Sequence, residues 1–261
     1  MSDINTLRYL INARRMSQKY RIAMGNRALQ TNNPTIDKWA NVFEDNEHEL
    51  DREIMQIAIG FPIVEKMMRV KGMGLLFAAQ LFCEVSIEEC DTVSKLWRFA
   101  GLGLYDYWQN SDGKIVSPRS GYKWVNGEKV YTIVEPEPSW SLVKVRDRKM
   151  YEWTVPYNIT LRSLMYNIGT SFLRANSPYR TVYDTAKVEY LNREWSNGHA
   201  SMAAMRKMNK LFLAHLWSIW RESEGLPITQ KNKFDSKKDK SFFGWEEPKN
   251  SRKRLTIVKR K

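Results

Sequence analysis

The chain has 261 residues, with 42 Lys or Arg against 29 Asp or Glu and a net charge of +13. Apolar residues make up 43 % of it, enough for a buried core, which excludes wholesale disorder, and no run approaches the ~20 apolar residues of a membrane span. Met1-Ser2-Asp3-Ile4-Asn5 has no basic-then-apolar leader, and Cys83 and Cys90 fit neither a disulfide framework nor a zinc spacing, so a reduced, cytoplasmic protein with no membrane partner is expected.

A basic balance of this size points to a polyanionic partner, nucleic acid first. Much of the charge is terminal. Lys231 to Lys261 carry 12 basic and 4 acidic residues, +8 of the +13.

Residues 5–30 read as a basic helix. Leu7, Leu10 and Ile11 open its apolar face, Ile22 and Leu29 extend it, and Arg8, Arg14, Arg15, Lys19, Arg21 and Arg27 fill most of the rest. Asn32-Asn33-Pro34 breaks it. A second helix is expected from near Asn46 through Leu50, Ile54, Ile57 and Ala58, ended by Gly60-Phe61-Pro62. Residues 1–61 thus form a helical hairpin arm with an acidic connection. It serves either as a packing element or as a nucleic-acid contact, and a homodimer through it is expected.

Pro62 to Val70 is a short amphipathic helix, Lys71-Gly72-Met73-Gly74 a tight turn, and Leu75 to Val85 an apolar helix. Helix, Gly-x-Gly turn and helix make the pattern of a helix-hairpin-helix unit. Glycines permit the positive φ of such a turn, and the amides that open the second helix have no intrahelical acceptor and lie at the positive end of its dipole. A phosphate fits there without any base being read, and Lys71 adds a charge. A plain packing corner is the alternative.

Asp91-Thr92-Val93-Ser94 reads as an N-cap and first turn, followed by a short helix through Leu96, Trp97, Phe99 and Ala100 that stops at Gly101-Leu102-Gly103. About 105–155 is a β insertion. Asn126-Gly127, between Tyr122-Lys123-Trp124-Val125 and Lys129-Val130-Tyr131, signals a hairpin. Leu161, Leu164, Ile168 and Phe172 then recur at helical spacing, and Ser177-Pro178-Tyr179 opens a further helix. A long helix from about His199 to Glu224 carries the core stripe Met202, Met205, Met208, Phe212, Leu216 and Ile219, with Arg206, Lys207 and Lys210 on another face. Gly225-Leu226-Pro227 stops it. Residues 229–261 read as a flexible basic tail, interrupted by Phe242-Phe243-Gly244-Trp245 and Leu255-Thr256-Ile257-Val258. The fold class expected is mainly α, with domains at 1–61 and 62–228 and a tail beyond.

Catalytic signatures are few. His48, His199 and His215 make no metal spacing, and His215 reads as a packed side chain. The acidic run Glu44, Asp45, Glu47, His48, Glu49 and Asp51 suits an exposed helix start. Neither a metal nor a cofactor is expected.

Several segments in order carry a resemblance: Val70-Lys71-Gly72-Met73-Gly74, Leu96-Trp97-Arg98-Phe99-Ala100-Gly101-Leu102, Asp112-Gly113-Lys114, and Tyr157-Asn158-Ile159-Thr160-Leu161-Arg162. Pro178-Tyr179-Arg180, Arg206-Lys207-Met208 and Trp220-Arg221-Glu222 continue the series. Over roughly residues 5–228 the chain resembles the C-terminal, helix-hairpin-helix half of the bridge-RNA-guided insertion-sequence transposases, nearest to stand-alone phage- or archaea-type relatives. Full-length members begin with an RNase-H-like domain whose acidic residues hold Mg²⁺, and this chain is expected to lack it.

In those members a serine after the Ala-Gly-Leu segment is the nucleophile. The nearest equivalent is Ser111, with Ser120 as a second candidate and a plain loop serine as the alternative. The expected role is therefore binding of DNA, branched forms included, or of structured RNA. Lys71, Gly72, Met73, Gly74, Lys114, Arg252, Lys253 and Arg254 are the expected contacts. A serine recombinase active with a partner, and an assembly protein that reuses the fold, are the alternatives.

Overall fold

The computed structural model describes residues 2–146, 150, 153–154, 157–228 and 242–245. Among these are eight helices: α1 (Ser2–Thr31), α2 (Pro34–Ala58), α3 (Pro62–Met68), α4 (Leu75–Glu84), α5 (Val93–Phe99), α6 (Ile159–Arg174), α7 (Tyr179–Leu191) and α8 (Asn197–Ser223). Five strands complete it: β1 (Tyr105–Gln109), β2 (Ile115–Pro118), β3 (Ser120–Val125), β4 (Glu128–Ile133) and β5 (Ser141–Val145). The protein is mainly α with a small antiparallel β insertion, as its patterning implies. No described helix is long and apolar enough to cross a membrane.

The chain divides into two compact units. Of the described residues, 2–85, 170–185 and 242–245 belong to the first, and 86–169 and 186–228 to the second. Residues 62–85 thus group with the arm.

In the first unit α1 and α2 form an antiparallel hairpin, but α2 starts twelve residues earlier than the apolar spacing implies. Asn33 caps it by accepting from the Thr35 N–H (2.9 Å), and Pro34 takes the first helical position. Its inward stripe runs Ile36, Ala40, Phe43, Glu47, Leu50, Ile54 and Ala58, with a carboxylate in the middle. Glu47 is buried because it meets Arg21 (2.7 Å), and Asp51 pairs with Arg14. Asn46 donates to Ser17 Oγ (2.7 Å) in the same seam. The acidic run is therefore α2's answer to a basic α1, not a connection between helices. Leu7 and Ile11 are buried as expected, whereas Ile22 and Leu29 are exposed. The face they were to extend is instead carried through Arg21, Met24 and Ala28.

The Phe242–Trp245 segment of the expected flexible tail is docked. Phe243 stacks on Tyr179 (ring centroids 4.4 Å), which itself stacks on Phe172, and Trp245 Nε1 donates to Tyr179 Oη (2.7 Å). Phe243 and Trp245 are buried. The rest of the tail, Arg252, Lys253 and Arg254 included, lies outside the described residues.

In the second unit Thr92 caps α5 by accepting from the Lys95 N–H. The Asn126-Gly127 hairpin forms between β3 and β4, with φ of 51° and 83° at its two turn residues. The insertion holds more than that one hairpin. Strands β2-β1-β5 form a separate three-stranded antiparallel sheet that buries Tyr105 and Tyr107 against Ile115, Val143 and Val145. The α8 stripe is buried from Met208 through Phe212, Leu216 and Ile219. Met202, expected in that core, is 54 % exposed and Met205 half-buried. His215 is packed inside, and buried Arg221 donates to the carbonyls of Ile87 (3.0 Å) and Cys90 (3.2 Å).

Candidate nucleic-acid interface

The turn between α3 and α4 gathers Lys71, Gly72, Met73 and Gly74. Each has a distinct part. Gly72 has φ +93°, and a Cβ on it would lie 3.1 Å from both Ala175 Cβ and a Phe172 ring atom and 3.2 Å from the Ser171 carbonyl oxygen. Its own carbonyl accepts from Ser171 Oγ (2.7 Å). Gly72 is thus required by conformation and by packing. Met73 is buried and anchors the turn, its N–H donating to the Val70 carbonyl (2.9 Å).

Gly74 differs. It is exposed, has ordinary extended dihedrals (φ −80°, ψ 158°), and a Cβ there would meet nothing within 4 Å. It is the N-cap of α4, and no side chain caps that helix. The amides of Leu75, Leu76 and Phe77 consequently open at a surface flanked by exposed Arg69 and Lys71. This is a concentration of positive potential that backbone and side chains share.

Ser111 and Lys114 lie together at another place, the β1–β2 turn in the second unit. Asn110 shapes that turn, its Oδ1 accepting from the Lys114 N–H (2.8 Å), while Gln109 Nε2 donates to the Gly113 carbonyl (2.6 Å) and Gly113 takes φ +76°. Ser111 and Lys114 are both exposed, and among the described residues Ser111 Oγ makes no hydrogen bond. Ser120, the second candidate, is exposed at the start of β3.

Two further features emerge in the second unit. On one face of the β3–β4 hairpin Tyr122, Trp124, Lys129 and Tyr131 are cross-strand neighbours, with Lys129 Nζ 3.9 Å from the Tyr122 ring centre. Trp124 and Tyr131 are each 65 % exposed. Period-2 alternation in Tyr122-x-Trp124 and Lys129-x-Tyr131 already contains this face. The other feature is the capture of the Gly101–Gly103 turn by Arg206, whose Nε and Nη2 donate to the Leu102 carbonyl (2.9 and 2.7 Å) and Nη2 to that of Gly103 (2.7 Å). These groups are a hundred residues apart in the chain, so no local signal could have found them.

Among the described residues no group of His, Cys, Asp and Glu is arranged to hold a metal ion. Burial pushes the thiols of Cys83 and Cys90 up to about 11, which leaves both inert as nucleophiles near neutral pH. No protein-family model matches this chain, and no curated protein is significantly similar to it.

Proposed function

We propose that this protein binds nucleic acid, DNA in the first place, by its phosphate backbone at the Lys71–Gly74 turn. The observation that carries the reading is the uncapped N-terminus of α4 opening at an exposed glycine with free space in front of it. Amides aimed outward, the helix dipole and the two flanking cations favour an anion there without reading sequence. This is the role expected of a cytoplasmic relative of the C-terminal half of the bridge-RNA-guided transposases. Self-association through the arm belongs to the same proposal, since Tyr9, Ile22, Leu29 and Trp39 leave apolar surface that a second copy would cover.

Gly74→Asp tests the turn, because its two effects have opposite signs. Asp is a good N-cap and favours the positive helix end, so the variant should keep its melting temperature or gain about 0.5–1 kcal/mol of stability. The same carboxylate occupies the amides and repels phosphate, so affinity for duplex DNA, measured by electrophoretic shift, should fall at least about tenfold. A stable variant that binds duplex, four-way junction and RNA as tightly as the parent would remove the turn from the interface.

A further inference from the structure

The second unit contains a cleft of about 240 Å3 beside the Gly101–Gly103 turn. Arg146, Arg162 and Arg206 line it, and Tyr166, Met202 and Met205 form a less polar wall. Arg206 is half-buried, and the carbonyls of Leu102 and Gly103 engage its Nε and Nη2. Both hydrogens on its Nη1 have no acceptor among the described residues. One turn further along α8, Lys210 is also half-buried, with its Nζ 3.9 Å from the Trp97 ring centre.

Charge makes this arrangement unusual. Burial holds the Arg206 guanidinium below its ordinary value, and among the described groups Arg146 and Arg162 push it the same way. Burial lowers Lys210 too, and Arg206 adds to the shift. A cation withdrawn from water needs an opposite charge or good hydrogen bonds. Two carbonyls supply some of the hydrogen bonds for Arg206; Arg146 and Arg162 add positive charge, which Tyr105 and Tyr190 oppose, and no described carboxylate pairs with it. The two hydrogens that remain, both on Nη1, are charge-assisted donors suited to a phosphate oxygen.

We propose that this cleft binds the phosphate group of a nucleotide, held by Arg206 Nη1 and Arg146. The volume exceeds what a bare phosphate fills, and the half-exposed Tyr166, Met202 and Met205 offer an apolar wall to the attached sugar or base. The nucleotide comes either free or as part of a strand. The cleft and the Lys71–Gly74 turn belong to different units, so this proposal does not rest on the turn.

The experiment titrates the full chain with adenosine 5′-monophosphate, with adenosine, and with a single-stranded DNA dodecamer carrying or lacking a 5′-phosphate, followed by tryptophan fluorescence. Arg146→Ala removes an exposed side chain. Arg206→Lys keeps the charge but loses the Nη1 donors, and helical circular dichroism checks its fold. Each variant should weaken the phosphorylated probes at least about tenfold, and Gly74→Asp should leave the mononucleotide unaffected. A strand preference for the 5′-phosphate that both variants erase identifies a terminal phosphate. Equal binding of both strands, lost in both variants, identifies a bridging one. Should Arg206→Lys fail to fold, Arg146→Ala alone decides. Adenosine binding as tightly as its monophosphate, probes indifferent to the folded variants, or no binding by any probe would overturn the proposal.

Discussion

Two Gly-x-Gly turns, Gly72-Met73-Gly74 in the first unit and Gly101-Leu102-Gly103 in the second, share a pattern and present opposite backbone charge. Both begin with a left-handed glycine, at φ +93° and +70°. The first turn enters α4, so it leaves amides outward. The second follows α5: its N–H groups turn back onto the Trp97 and Arg98 carbonyls, and Arg206 takes the Leu102 and Gly103 carbonyls that remain. The second glycines diverge as well. Gly74 has open space around it, whereas a Cβ on Gly103 would fall 2.6 Å from Arg98 Cγ and 3.0 Å from Arg98 Cα. Which end of a helix a glycine pair borders decides the sign of the potential. What packs against it decides whether a ligand can approach.

Alanine at each position turns this contrast into a graded series. The largest effect belongs to Gly103→Ala, whose methyl has no room against the Arg98 backbone. Its cost should be about 2–3 kcal/mol, read as a lower urea midpoint at unchanged slope. Gly72→Ala follows at about 1–2 kcal/mol, from a left-handed backbone and the tight contacts with Phe172 and Ala175. Gly74→Ala should change stability by less than about 0.5 kcal/mol, because its dihedrals suit any residue and nothing is displaced. Equal costs at 74 and 103 would break the comparison. A costly Gly74→Ala would mean that this glycine serves packing after all.

Most helices are legible in the sequence because their apolar spacing and stop signals are local. Asn126-Gly127 is likewise self-contained, since two positive-φ residues between alternating runs leave little else to form. The failures in the arm share one cause, namely polar residues used as packing. Glu47 sits in the buried stripe of α2 and Arg14 and Arg21 in that of α1, so an apolar template finds α1 but misses the first part of α2. Ile22 and Leu29 drew the predicted face to the wrong side for the same reason. Met202 satisfies the core period yet borders a cleft, because the period records a helix face and not what lies opposite.

By itself the sequence determined the mainly α class, the positions of the breaks and the presence of a glycine turn ahead of an apolar helix. These depend on neighbours within a few residues, through dihedral preference, capping and period. Tertiary structure alone decided that Gly74 stands open while Gly72 is locked, and that Phe243 and Trp245 close on Tyr179. It also decided that Arg146, Arg162 and Arg206 line one cleft. Such facts depend on which distant segments meet, and that is set by the summed burial of many side chains and by no single spacing along the chain.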